Sequence, residues 1–490
     1  MKITSPYLSS QRIFLHTLFL LFIGLLSIKL YFSSPIFWVI SLSTVIFLFY
    51  KFLSTNKDPM GFILILFFLS HFSYLDNQGG LWNISSSLIY FFLILTGSRE
   101  IRFFKTDRTT FLLLLILFGF NMVGWLFIST TSLIMKIEGF IMLSSYMLTF
   151  VFISNIKITP FQLRRFFNLL FIISIYLFIA AINQRFGIIK SKLPFLPPKA
   201  ISDGVIALTT NSSSVFGNSE LYGEYCVLIL LLTLSVVKSK ALIRLFFSKT
   251  FYPYIIILLS IFGTFLSGSR SSVLLAVSAI FIVFSLNFLS LNISKNYIRL
   301  LVFSSVFIGL FLMLNLDIGT KSSKEDFEQL NQTSFSIQSV ISGESINRYE
   351  TFNQALKRLN SQSWFFGSGI GPLESNKIAW WGYSEDTPYI DFHNLYFSLP
   401  MLYGYVGSFV FFLIILRTIF LSIKSRTKIS KGFYLKPILI IMPFFWILFL
   451  LDEWKISMLR NANYHMLVWM FLGLNMAMIK TIKYSKTSHA

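Results

Sequence analysis

About fourteen long apolar runs follow one another along the 490 residues, near 13–31, 36–53, 60–75, 81–97, 110–128, 138–155, 166–184, 219–237, 250–267, 271–290, 297–316, 395–416, 437–452 and 462–480. A helix that crosses the hydrocarbon of a bilayer needs about 20 mainly apolar residues. Only 12% of the chain is charged, against about a quarter in soluble domains, so the chain belongs in a membrane. The expected fold is an all-α polytopic membrane protein of about 12–14 transmembrane helices. One long hydrophilic interruption, Asp317 to Asn394, is set into it.

Cytoplasmic connections carry the excess of Lys and Arg in membrane proteins. With the N-terminus inside, the inner connections hold 26 of the 41 basic residues, including Arg99, Arg102, Lys105, Arg108 and the cluster from Arg417 to Lys436. Of the 15 outer ones, ten fall in the long loops 185–218 and 317–394, where the rule weakens. Both termini are therefore expected in the cytoplasm and both long loops outside. The net charge of +21 is accounted for by inner loops facing anionic lipid headgroups, so the lipid bilayer is the partner and nucleic acid is not. The first apolar run has no small-residue cleavage site after it and reads as a retained anchor. A single cysteine, Cys226, excludes an internal disulfide and a cysteine metal cluster.

The chain divides into N-terminal membrane helices over 1–184, further helices with the first outer loop over 185–316, the large outer loop 317–394, and C-terminal helices over 395–490. The first outer loop has a proline-rich turn at Pro194, Pro197 and Pro198 and a polar run from Thr209 to Ser214. The large loop holds ten of the twenty acidic residues and six basic ones, so it is net negative in a basic protein. Within it Ile346, Tyr349, Phe352, Ala355, Leu356 and Leu359 recur at helical spacing after Ser345, which predicts a short helix over 346–360. Gly367, Gly369, Gly371 and Pro372 predict a sharp turn. The run 437–452 is interrupted by Pro443.

Several positions carry groups suited to chemistry. Arg270 lies in Ser267-Gly268-Ser269-Arg270-Ser271-Ser272, between two apolar runs with almost no connection to spare. A guanidinium at the edge of hydrocarbon marks a functional site by default; the bland alternative is an arginine that snorkels to the interface. Ser269 and Ser271 leave room for an anion and add donors. Arg348 falls in the first turn of the predicted loop helix, beside Tyr349, where an anion held by the guanidinium and free N–H groups is favoured. His393 follows Asp391 where the large loop re-enters the membrane and precedes Asn394, the place a general base would occupy. Glu220 and Glu224 share a helical face at the outer start of the eighth run, as a second base, a sugar-binding pair or simply solvated carboxylates. His16 and His71 read as core residues, and His465 stays open near an outer helix end. There is no Asp-x-Asp metal motif, no Gly-Lys-Ser/Thr phosphate loop, no His-Glu-x-x-His and no Gly-x-Ser-x-Gly.

Ser267-Gly268-Ser269-Arg270 opening a membrane helix, Arg348 about eighty residues later in an outer loop, the Gly367-x-Gly-x-Gly segment, and His393-Asn394 followed by Gly404 and Gly407 occur in this order over roughly 217–410. Together they resemble the bacterial O-antigen ligase and polymerase superfamily. The resemblance implies a membrane fold related to the C-type glycosyltransferases, a donor glycan on undecaprenyl pyrophosphate used at the outer, periplasmic face of the inner membrane, and no metal or other cofactor. It leaves the N-terminal third unassigned.

Displacing a lipid pyrophosphate from an anomeric carbon develops negative charge on the leaving group, which Arg270 and Arg348 would offset. The acceptor hydroxyl needs a proton acceptor, His393 or else Glu224. The expected function is a polysaccharide polymerase, with a chain-length regulator as a candidate partner. A ligase that moves the finished polymer to lipid A core is the nearest rival. A lipid-linked sugar flippase, which would scatter charge along a central cavity and keep its outer loops short, is the third reading.

Overall fold

The computed structural model of the chain describes residues 64, 67, 70, 71, 107–128, 133–188, 212–216, 218–237, 239–288, 365–367, 369, 394–426, 429, 433–454, 458–460 and 462–487. Helix α1 is Arg108–Val123, continued by a π-helical turn Gly124–Ile128. Next come α2 (Leu133–Ser154), α3 (Pro160–Phe186), α4 (Ser219–Val237), α5 (Lys240–Phe246), α6 (Tyr252–Ser267) and α7 (Arg270–Phe288). After the large hydrophilic loop follow α8 (Leu395–Arg426), α9 (Lys436–Asp452), a 3₁₀ turn Met458–Arg460 and α10 (Ala462–Thr487). No strand occurs among the described residues. Five of these helices are long and apolar enough to cross a membrane, and the protein is an all-α polytopic membrane protein.

Nine of the expected runs are helices here, and α9 stays helical through Pro443. The other five runs and the predicted helix 346–360 lie outside the described residues, apart from four positions of the third run. Those four, Leu64, Phe67, Ser70 and His71, are all buried at helical spacing. The short helix α5 falls in what reads as a plain basic connection; Ser239 caps it, its hydroxyl accepting from Ala241 N–H.

Local signals place the helix ends. Thr159 and Gln162 form a capping box ahead of Pro160, satisfying N–H groups that a helix start leaves open. Gly268 ends α6 in the left-handed region at φ 64°, which lets α7 begin two residues later. Ser269 caps that start: its Oγ accepts from Ser272 N–H and shares a hydrogen bond with Ser271 Oγ at 3.0 Å.

Apolar all round, the helices sort by neighbours. Helix α4 is the hub, with α6, α7, α9 and α5 against it and 15 of its 19 residues buried. Small residues permit the close approach: a Cβ added at Gly263 of α6 would stand 2.5 Å from Cys226 Sγ of α4. Helices α1, α6 and α8 turn Leu112, Leu115, Leu258, Phe262, Leu416 and Phe420 outward, as a bilayer requires.

One end of the bundle is basic, where Arg417 of α8 pairs with Asp107, the N-cap of α1. Burial pushes the Asp107 carboxyl up, but hydrogen bonds from Arg417 and Thr110 outweigh it and hold it below the usual carboxylate range. A depressed pKa means stability that is present above the ordinary carboxylate value and lost as pH falls through the folded value. Asp107→Asn keeps a good N-cap and is expected to cost up to about 1 kcal/mol, as the lost ion pair with Arg417. The loss should shrink under acid conditions, as measured by thermal unfolding in detergent.

Candidate functional site

The opposite end collects the termini that matter for chemistry. Helix α4 starts there, capped by Asn218, whose Oδ1 accepts from the N–H groups of Glu220 and Leu221 at 2.8 and 3.1 Å. The α6–α7 turn is packed onto this start. A Cβ at Gly223 would stand 2.3 Å from Ser272 Oγ and 2.7 Å from Ser267 Oγ, so the main chain of Arg270, first residue of α7, begins beside the first turns of α4. Residues 212–216 seal the flank. Gln184 Oε1 accepts from Ser213 N–H at 2.8 Å and Ser212 Oγ at 3.0 Å, and Ser212 N–H donates to Leu266 O at 3.0 Å.

Glu224 is one residue beyond Gly223 and 1% exposed. Neither carboxyl oxygen has a hydrogen-bond partner of ordinary geometry. The groups within electrostatic reach are Glu453 and Asp452 at the end of α9, and the Tyr464 side chain of α10 faces it. Glu453 is fully buried; its Oε2 accepts from Met458 N–H at 2.9 Å and its Oε1 has no partner. Burial pushes the Glu453 carboxyl well above the ordinary range, the Met458 N–H opposes that, and the charge of Asp452 adds to it.

The chain that leaves the large hydrophilic loop enters at this same place. Asn394 Oδ1 accepts from Tyr396 N–H at 2.8 Å, capping α8, and its Nδ2 donates to Trp454 O at 2.7 Å. Leu395 N–H donates to Glu453 O at 2.9 Å. The chain immediately after His393 is thus stapled to the Asp452-Glu453-Trp454 turn. A second pin lies at Phe365–Gly369. Helix α8 is broken at Gly404, where φ is 71° and ψ 172°, and Gly369 N–H donates to Leu402 O at 2.8 Å across the break. Phe366 stacks on Phe120 of α1, ring centroids 5.2 Å apart.

Residues 255–412 match the family model described as O-antigen ligase. That segment is similar to the O-antigen ligases. The match runs from α6 through the Arg270 turn and the large loop to beyond Gly404 and Gly407 in α8, which bears out the superfamily resemblance and supports a glycosyltransferase-like activity. No curated protein matches the chain.

Within or beside the matched segment, the structure brings Glu220, Glu224, Ser269, Ser271, Asn394 and the main chain of Arg270 to one end. Ser269 and Asn394 are there engaged as helix caps. The Arg270 side chain, Arg348, Tyr349 and His393 lie outside the described residues. Sequence reasoning passed over Asp452, Glu453 and Tyr464; an acidic doublet closing an apolar run on the same expected side as Glu224 was the available signal. His71 is a buried core residue, as its place in an apolar run predicts, with both ring nitrogens satisfied. Its Nδ1 donates to Phe67 O at 2.6 Å, and its Nε2 accepts from Tyr225 O–H at 2.9 Å, tying the N-terminal third to the residue after Glu224. His465 is buried against Tyr146, ring centroids 4.3 Å apart.

Proposed function

We propose that this protein is a polysaccharide polymerase that transfers an undecaprenyl-pyrophosphate-linked glycan to a sugar hydroxyl at the periplasmic face of the inner membrane. The observation that carries the reading is convergence. The Arg270 turn and the Asn394 staple, where the large loop ends, lie beside the helix ends that carry the buried carboxyls Glu224 and Glu453, where an anion clamp and a proton acceptor would be needed together. The basic end of the bundle lies opposite, which supports a site on the outer side with both termini cytoplasmic.

In this reading the acceptor oxygen attacks the anomeric carbon and the bond to pyrophosphate breaks with its electron pair. The guanidiniums of Arg270 and Arg348 hold the leaving group, and the start of α7 adds free N–H groups. The hydroxyl proton passes to His393 or Glu224, and the product is inverted at the anomeric carbon. The ligase reading is favoured by the family's own description, since ligase and polymerase would use one donor and differ in acceptor.

The test is the size and lipid attachment of glycans in a strain lacking the gene, complemented with wild type, Arg348→Ala or His393→Ala. Single repeat units on lipid A with long chains lost establish a polymerase. Long chains left on undecaprenyl pyrophosphate establish a ligase. Each variant is expected to lower transfer by about 100-fold or more, and full activity of Arg348→Ala would remove the pyrophosphate role.

A further inference from the structure

The segment just ahead of α4 is irregular backbone, yet Ser212, Ser213, Ser214, Val215 and Phe216 are all buried. Non-helical chain inside a membrane bundle persists only where protein meets its polar groups, and here the partners come from α3 and α6. Ser214 Oγ donates to Leu177 O at 2.7 Å, and Ser212 Oγ lies 3.0 Å from both Ala181 O and Gln184 Oε1. Leu177, Ala181 and Gln184 stand on one face of α3, so the segment dips about 10 Å along that helix. Gln184 supplies an acceptor and a donor: its Oε1 accepts from Ser213 N–H at 2.8 Å and its Nε2 donates to Ser213 Oγ at 2.7 Å. Ser212 N–H donates to Leu266 O at 3.0 Å, in the last turn of α6, where a helix leaves its carbonyls open. Ser214 has a φ of 49°, the one positive value at a non-glycine position among the described residues, and such an outlier persists only where its surroundings hold it. Phe216 sets its ring centroid 5.2 Å from that of Tyr225 on α4 and 5.5 Å from that of Tyr464 on α10.

Resting on the transfer reading, we propose that Gln184 is a positioning residue for the reaction: its amide holds residues 212–216 and, through them, sets the first turn of α4 against the α6–α7 turn. The segment is fastened to both walls. Two residues after Phe216, Asn218 caps α4, and the half-buried Ser219 and Glu220 leave that turn open to a substrate. At the other end of the segment, Ser212 is tied to the α6–α7 turn through Leu266 O. The apolar contacts of Val215 and Phe216 hold the segment in the bundle but do not fix its register, because burial has no direction. Hydrogen bonds to both polar atoms of one amide do fix it, as satisfied buried networks do. Gln184 thus acts through this segment and not on the reacting atoms.

The full chain in proteoliposomes, supplied with the undecaprenyl-pyrophosphate-linked repeat unit of its host as donor and acceptor, tests this with Gln184→Met, Gln184→Glu and Ser213→Ala. Met fills a similar space without the hydrogen bonds. Glu keeps an acceptor for Ser213 N–H and the Ser212 hydroxyl, and its second oxygen can accept from the Ser213 hydroxyl. The expected result is a kcat lower by about 10- to 100-fold in Gln184→Met, with KM for the donor unchanged, a smaller loss in Ser213→Ala and recovery towards wild type in Gln184→Glu. Spin labels on Ser219→Cys and Ser271→Cys, one on each wall, report the spacing; Cys226 is buried and stays unlabelled. Their distance distribution should broaden in Gln184→Met and narrow again in Gln184→Glu. Wild-type kcat in Gln184→Met would overturn the positioning role and leave the transfer reading standing. A kcat that falls only in step with the unfolding midpoint, with no recovery by Glu and an unchanged label distance, would also overturn it, since Gln184 would then be a packing residue. Absence of transfer by the wild-type protein would overturn the transfer reading, and the role with it.

Discussion

Gly404→Ala lowers the stability of the folded protein by about 3 kcal/mol or more and abolishes glycan transfer. At φ 71° and ψ 172° this position lies in a region that only glycine occupies without strain. A Cβ would stand 2.2 Å from Phe365 O, a backbone atom that cannot rotate aside. The strain cannot be relieved by letting the loop segment go. At the break Gly369 N–H donates to Leu402 O at 2.8 Å, so releasing the segment would also cost this hydrogen bond. Gly367 and Gly124 are held just as closely, since a Cβ at Gly367 would meet Gly404 N at 2.3 Å and one at Gly124 would meet Gly369 N at 2.7 Å. Three chain segments therefore meet at a knot that only glycine can build. The control is Gly119→Ala on α1, where a Cβ meets nothing within 4 Å; it should be neutral or stabilise by up to about 1 kcal/mol. Thermal unfolding in detergent compares the two, and limited proteolysis reports whether the segments on either side of 365–369 come loose in Gly404→Ala.

The knot also marks where sequence reading stops. Hydropathy located the long described helices, because a bilayer demands about 20 apolar residues whatever their neighbours, but not their polar ends: α3 starts at Pro160, ahead of its apolar run, and α8 continues to Arg426, past its own. The same uniformity hides what each helix touches. Helices α1 and α4 read alike as apolar runs, yet 33% of the first span's window is buried and 83% of the second's, since lipid and helix neighbours are equally apolar. The break in α8 is hidden for a related reason: Leu395–Arg426 contains Gly404 among apolar residues, and whether a glycine there packs, bends or breaks a helix depends on the partner, here Gly367 and Gly369 from across the loop. The Gly367-x-Gly pattern was legible as a turn, and both residues have positive φ, 61° and 78°. Glu224 was legible because a carboxyl inside an apolar run must be explained. Glu453 was not, because an acidic residue just past such a run ordinarily faces water, and only the fold shows it buried.

Gly223→Leu is the complementary case, with a larger effect on activity than on stability. Gly223 is where α4 meets the Arg270 turn, and a Cβ there would stand 2.7 Å from Ser272 Cβ as well as 2.3 Å from its Oγ. A rotating hydroxyl could move away; the Cβ moves only with the main chain of α7. A leucine therefore shifts the start of α7 outward, and Arg270, the first residue of that helix, shifts with it. The hydrophobic contacts of α4 with α6 and α9 lie further along and remain, so the expected loss of stability is about 1–3 kcal/mol, typical of overpacking. Displacement of a clamping residue by about 1 Å costs on the order of 100-fold in rate, and transfer should fall by at least that. Gly223→Ala should fall between the two, because its single methyl needs a smaller shift. Single-turnover transfer beside the unfolding midpoint, measured for the Ala and Leu variants, separates the effects. Parallel loss of both quantities would make Gly223 a packing position only, whereas a rate that collapses while the midpoint holds places the Arg270 turn at the reacting centre.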